Sequence, residues 1–175
     1  VTNMLLAAAA TERRRAEEAR RLSTERFRVV ASATNDAIWD WDLATQTVWR
    51  NEGMQTLFGF QENEIGRDMK WWYEQIEPAD REKVVASLSR FTQSNDQLWS
   101  TEYCCRRKDG ATASVLDRAY LVRDDQQRPI RVIGAMMDIT DRKRIEADLA
   151  KARDAALSAA RQKSEFLAKM SHEIR

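Results

Sequence analysis

Imidazole is the side chain whose ordinary pKa lies beside neutrality, so it can act as acid, base or nucleophile with little help from its surroundings. This chain has one, His172, in the run Lys163-Ser164-Glu165-Phe166-Leu167-Ala168-Lys169-Met170-Ser171-His172-Glu173-Ile174-Arg175. Phe166, Leu167, Met170 and Ile174 recur three and four residues apart and mark one apolar helix face. At about 100° per residue His172 falls about 200° from both Met170 and Ile174, so its ring faces water. The other reactive side chains offer less. Cys104 and Cys105 are neighbours, which leaves a strained vicinal disulfide as their only intramolecular bridge and favours a reduced pair. Two adjacent thiols and one distant histidine do not make a tetrahedral metal site. The glycines at 53, 59, 66, 110 and 134 are scattered, and none belongs to a phosphate-cradling loop. Trp39, Trp41 and Trp99 are candidates for lining an aromatic pocket, although indoles in a small α+β domain more often build its core or a dimer face.

His172 needs a rigid carrier. Asp141 to Arg175 lacks glycine and proline and is rich in Ala, Glu, Lys and Arg, which predicts a helix of about 35 residues, roughly 50 Å long. Ile145, Leu149, Ala152, Ala156, Ala159, Lys163, Phe166 and Met170 alternate four and three apart, the spacing of a coiled-coil seam. A second stripe of Ala160, Lys163, Leu167, Met170 and Ile174 takes over near His172, a change of phase like a stutter. The amino-terminal zone, Met4 to about Val30, also lacks helix breakers and reads as a long helix. Its Met4–Ala10 run is about a third of the roughly 20 apolar residues that a membrane span requires, and Arg13-Arg14-Arg15 follows. That pattern is expected at the cytoplasmic end of a transmembrane segment.

Between these zones the texture changes. Ile38–Asp42 and Thr47–Arg50 alternate about a turn and read as a hairpin. Met54, Leu57 and Phe58 before Gly59 predict a short helix, Glu62–Ile65 a single turn, and Pro78 opens a helix whose apolar face is Val84, Val85, Leu88 and Phe91. Leu98–Arg106, Thr112–Arg123 and Ile130–Ile139 read as three strands, joined by Lys108-Asp109-Gly110 and by Asp124–Pro129. The expected fold class is α+β, with a five-stranded antiparallel sheet, short helices, and long coiled-coil helices at both ends.

Two resemblances follow from these residues. W-D-W-D-L-A-T-Q-T-V, F-G-F-Q-E-N-E, E-P-A-D-R-E-K-V, R-K-D-G and G-A-M-M-D-I-T-D-R-K-R together resemble a PAS domain with its trailing PAC segment. The resemblance implies a sensory and dimerising module in which Asp138, Ile139 and Thr140 couple the last strand to the outgoing helix. Its ligand stays unknown. The cysteines lie in a strand, not in the helix motif of flavin-adduct relatives, and the domain has no histidine to hold haem. Glu77 also stands where the subfamily usually has histidine before the proline. The string S-E-F-L-A-K-M-S-H-E-I-R resembles the H-box of two-component sensor histidine kinases, including hybrid-type ones. It implies that His172 accepts the γ-phosphoryl of ATP and passes it to the receiver domain of a response regulator, with Glu173 orienting the ring and acting as general base. ATP and Mg would be bound by the parent kinase. This chain has no such domain and is expected to be inactive alone.

The resulting division is a linker helix (1–34), a PAS/PAC sensor (35–140), a connector (141–162) and the start of a dimerisation and phosphotransfer domain (163–175). The expected assembly is a parallel homodimer with its seam at Ile145, Leu149, Ala152, Ala156, Phe166 and Met170. The expected location is the cytoplasmic side of an inner-membrane sensor in a bacterium. With 29 basic against 28 acidic residues, no positive field favours nucleic acid. A ligand-free relay passing on a signal from an upstream sensor is the competing reading. A cyclase or phosphodiesterase regulator is disfavoured by the S-H-E-I-R ending.

Overall fold

The computed structural model describes Arg13, Arg14, Glu18, Val29 and residues 36–173, with side chains as far as Met170. The expected amino-terminal helix otherwise lies outside the described residues. The elements are β1 (Ala37–Asp42), β2 (Thr47–Arg50), α1 (Gly53–Phe58), a 3-10 turn (Glu62–Glu64), α2 (Met69–Gln75), α3 (Pro78–Gln93), β3 (Leu98–Arg106), β4 (Thr112–Arg123), β5 (Pro129–Asp138) and α4 (Thr140–Glu173). Five strands form one sheet in the order β2-β1-β5-β4-β3, antiparallel at every pairing. The carboxy-terminal meander is therefore local, whereas the β1–β2 hairpin docks on the last strand.

Side chains alternate across a strand, and the alternation separates the two faces of this sheet. Ala113, Val115, Asp117, Ala119 and Leu121 of β4 are buried on one face, together with Val132 and Met136 of β5 and Trp99, Tyr103 and Cys105 of β3. The short helices cover that face. Val84, Leu88 and Phe91 of α3 are buried, and complete burial of such a side chain contributes about 1.5–3 kcal/mol. Pro78 opens α3 at a position where its missing N–H costs nothing. The Asp80 carboxylate accepts from the Cys104 amide at 2.8 Å, and the Glu77 amide donates to the Cys104 carbonyl at 2.9 Å, pinning the helix start to β3.

Two local differences from expectation have physical causes. Helix α2 begins where the Asp68 side chain accepts from the Trp71 amide at 3.0 Å. Its Trp-Trp-Tyr centre has only middling helical propensity, so packing of the buried Met69 and Trp72 adds what the local sequence lacks. Strand β5 ends at Asp138, one residue earlier than expected, because the Asp138 carboxylate accepts from the Thr140 amide at 2.9 Å and turns the backbone into α4. Gly110, in the tight β3–β4 turn, has φ 86°, a conformation disfavoured for residues with a Cβ.

Candidate functional site

The site lies where the chain leaves the sheet. The two oxygens of Asp138 are divided: Oδ1 accepts from the Thr140 amide, while Oδ2 is ion-paired with Arg107 from the β3–β4 turn. Charge-assisted bonds of this kind are shorter and stronger than neutral ones. The Arg107 guanidinium also donates to the Leu57 carbonyl at 3.0 Å, and the Lys108 amide donates to the Phe58 carbonyl at 3.0 Å. Thus the last carbonyls of α1 are held by the same turn that holds the exit strand.

Ser114 of β4 completes the clamp. Its amide donates to Thr140 Oγ1 at 3.0 Å, and its carbonyl accepts from the Ile139 amide at 2.8 Å. The Ile139 side chain is buried beneath them, and its carbonyl accepts the Lys143 amide at 2.9 Å in the first turn of α4. On the outer face Glu102 of β3 meets Lys143 Nζ at 2.5 Å and an Arg142 amino group at 2.9 Å. The hydrogen bond from Lys143 holds the Glu102 carboxyl below its usual range. The structure therefore brings Asp138, Ile139 and Thr140 into one junction. It adds Arg107, Ser114 and Glu102, which the sequence did not single out; the inclusion of Arg107 in the R-K-D-G turn was the available signal.

Beyond this junction α4 stands free of the sheet. Ile145, Leu149, Ala152, Ala156, Phe166 and Met170 are all exposed, with Leu149 at 70%. His172 and Glu173 lie in the last turn of α4, and their side chains are outside the described residues.

The three indoles are distributed through the core. Trp39, Gly134, Ala119 and Trp99 form one row across four strands. Trp39 packs against Gly134: a Cβ there would stand 2.2 Å from the Trp39 ring, so the close approach requires glycine. Trp39 Nε1 donates to Asp117 Oδ1 at 3.0 Å, and Trp99 Nε1 donates to Ser87 Oγ at 2.8 Å. Trp41, in the next row, keeps a buried Nε1 with no hydrogen-bond partner. Asp117 was not anticipated, and burial pushes its carboxyl up to about 7. Among the described residues no group of three or more His, Cys, Asp or Glu is placed to hold a metal ion, and no helix is long and apolar enough to cross a membrane.

Comparison with known proteins agrees with this architecture. The PAS fold family matches residues 47–136, more than half of the chain. Hybrid signal transduction histidine kinase A of Dictyostelium discoideum is 28% identical over 111 residues, covering 62% of this chain and 5% of that protein. Sensor protein FixL of Bradyrhizobium diazoefficiens is 27% identical over 129 residues, covering 71% of this chain and 24% of that protein. The chain thus spans a small part of the curated relatives it matches. Among solved structures, a sensory box histidine kinase/response regulator from Burkholderia thailandensis superposes with a TM-score of 0.61 at 27% identity, covering 75% of this chain and 97% of that one. The N-terminal domain of a diguanylate cyclase with PAS/PAC sensor from Marinobacter aquaeolei shares the fold with a TM-score of 0.57 at 21% identity, covering 62% and 98%. With a matching sheet, a matching helix layer and a matching sequence over most of both, this chain belongs to the PAS fold family.

Proposed function

We propose that this chain is the sensory and signal-transmitting region of a sensor histidine kinase, in which the PAS domain controls phosphorylation of His172. The observation that supports this reading is the Arg107–Asp138–Thr140 junction, which joins the sheet to one helix running to Glu173. Relatives named as histidine kinases over the same region support it further. A catalytic domain elsewhere in the parent supplies ATP and Mg. The terminal phosphorus–oxygen bond of ATP breaks, a phosphorus–nitrogen bond to His172 forms, and ADP leaves. Glu173 orients the imidazole and takes its proton, and the phosphoryl group then passes to an aspartate on a receiver domain. Most of the catalysis is positioning, so the helix that carries His172 is the natural point of control.

Two such helices pair in parallel along Ile145, Leu149, Ala152, Ala156, Phe166 and Met170. Exposed apolar side chains on a helix this long gain stability from a partner that a lone helix lacks. The parent is anchored in a bacterial inner membrane by a segment preceding Arg13. A second reading, a ligand-free relay for that upstream sensor, is favoured by the Trp39 and Trp99 donors, which bond to side chains of this chain itself.

The test uses the parent kinase with labelled ATP. The expected label is stable to base and labile to acid, as phosphoramidates are, and His172→Gln is expected to abolish it. Label persisting in that variant overturns the phosphoacceptor assignment.

A further inference from the structure

Among the described residues one carboxyl lies in the core. Asp117 sits on the inward parity of β4 between Val115 and Ala119 and is 3% exposed. Its Oδ1 accepts from Trp39 Nε1, and its Oδ2 is 2.9 Å from the Tyr103 hydroxyl. That hydroxyl accepts from Trp72 Nε1 at 2.8 Å and lies 3.6 Å from Met136 Sδ. A hydroxyl has one proton and two lone pairs. With Trp72 donating into one lone pair, Tyr103 holds a single proton and has two acceptors in reach, the carboxylate and the thioether.

Among the described residues the surroundings supply no counter-charge. Trp39 of β1, Tyr103 and Cys105 of β3 and Met136 of β5 are buried around the group, with Trp72 of α2 behind Tyr103. The titratable neighbours stay protonated, because burial pushes Cys105 up to about 12 and Tyr103 well above its usual range. Among the described residues no cation pairs with Asp117. Arg107 and Asp138, whose charges act on Cys105, are engaged with each other.

We propose that Asp117, Tyr103 and Met136 form a proton-binding site in the core of the sensor, where a proton taken up by the Asp117 carboxylate reverses the hydrogen bond from Tyr103. In the ionised state the Tyr103 hydroxyl donates to Asp117 Oδ2. In the neutral state a proton from solvent sits on Oδ2 and is donated to the second lone pair of the Tyr103 oxygen. The Tyr103 proton then turns to Met136 Sδ, a weak acceptor. No other bond is made or broken. Each state leaves every donor an acceptor, so the group can be occupied either way without an orphaned proton. Desolvation places the interchange near neutrality.

The site is connected to both layers. Tyr103 ties Trp72 of α2 to the sheet, and Asp117 is paired in register with Met136, two residues before Asp138. Proton uptake is thus positioned to alter how the helix layer packs on the strand that feeds α4, whatever the output domain is.

The sign of the linkage follows from the raised pKa. Folded Asp117 binds its proton more tightly than the unfolded chain, whose carboxyl titrates at about 3.9. Its contribution to stability is therefore complete below that value and is lost as pH rises through about 7.

Carbon-13 NMR of the Asp117 carboxyl in the full chain tests the site, with a titration midpoint expected near pH 7. A carboxyl still ionised at about pH 5, or still neutral at about pH 9, overturns the proposal. Relative to Asp117→Asn, the unfolding constant of the wild type is expected to grow about tenfold per pH unit between about pH 5 and pH 7. A pH-independent difference overturns it as well, and where that variant fails to fold the NMR midpoint decides alone. Tyr103→Phe removes the donor to the ionised form together with the acceptor of the neutral form, and because the bond to the ion is the stronger of the two the midpoint should rise. A midpoint that falls in this variant overturns the assignment of Tyr103 as donor to the ionised carboxylate.

Discussion

Arg107 holds Asp138 with one amino group and the Leu57 carbonyl with the other, so a single guanidinium joins the end of α1 to the end of β5. Asp138 in turn holds the first amide of α4. Two side chains, Arg107 and Asp138, thus connect the end of α1 with the first turn of α4.

Removing that link has a defined cost. Arg107→Ala leaves a half-buried carboxylate without its cation and should destabilise the chain by about 1–3 kcal/mol in urea unfolding. Faster hydrogen exchange at Thr140 and Lys143 should accompany it. Arg107→Lys keeps the charge but loses the two-pronged geometry, so stability should recover in part while exchange stays fast. Unchanged exchange in Arg107→Ala would remove this residue from the coupling path.

Gly134 is a packing test. Alanine there places a methyl inside the Trp39 ring position, and the flat indole cannot yield without losing its bond to Asp117. Gly134→Ala should cost about 1–3 kcal/mol, with a shifted Trp39 indole resonance in the NMR spectrum. A wild-type spectrum and stability would mean that the indole does not lie where the close contact puts it.

Helix phase is the third test. In the sensor kinase proposed as the parent, four residues inserted after Ala152 turn everything downstream by about 40° relative to the sensor, whereas seven nearly restore the phase. The four-residue insertion should lock output high or low, and the seven-residue insertion should remain regulated. Equal stimulus-responsive phosphorylation in both would exclude helix rotation as the signal.

Much of the framework was legible because it depends on local periodicity. Thr112–Arg123 could be read as a strand from its place between two turn signals, and α4 from the unbroken Ala-, Glu-, Lys- and Arg-rich run that starts at Asp141. The Asp138-Ile139-Thr140 triplet was legible by resemblance, and each of its residues does contact the junction. Helix α2 was not legible, since its aromatic run favours no helix until Met69 and Trp72 find the core.

Asp117 marks the boundary between the two kinds of information. Its neighbours Ala113, Val115, Ala119 and Leu121 are local in sequence, but that its carboxyl points inward with them is shown by burial in the folded sheet. What it meets there depends on Trp39, 78 residues away, on Tyr103 across the β3–β4 turn, and on β1 docking against β5. Period is a property of the backbone and travels with the sequence. Partnership is decided by which distant strands close against one another, and burial then sets the charge of the group they enclose.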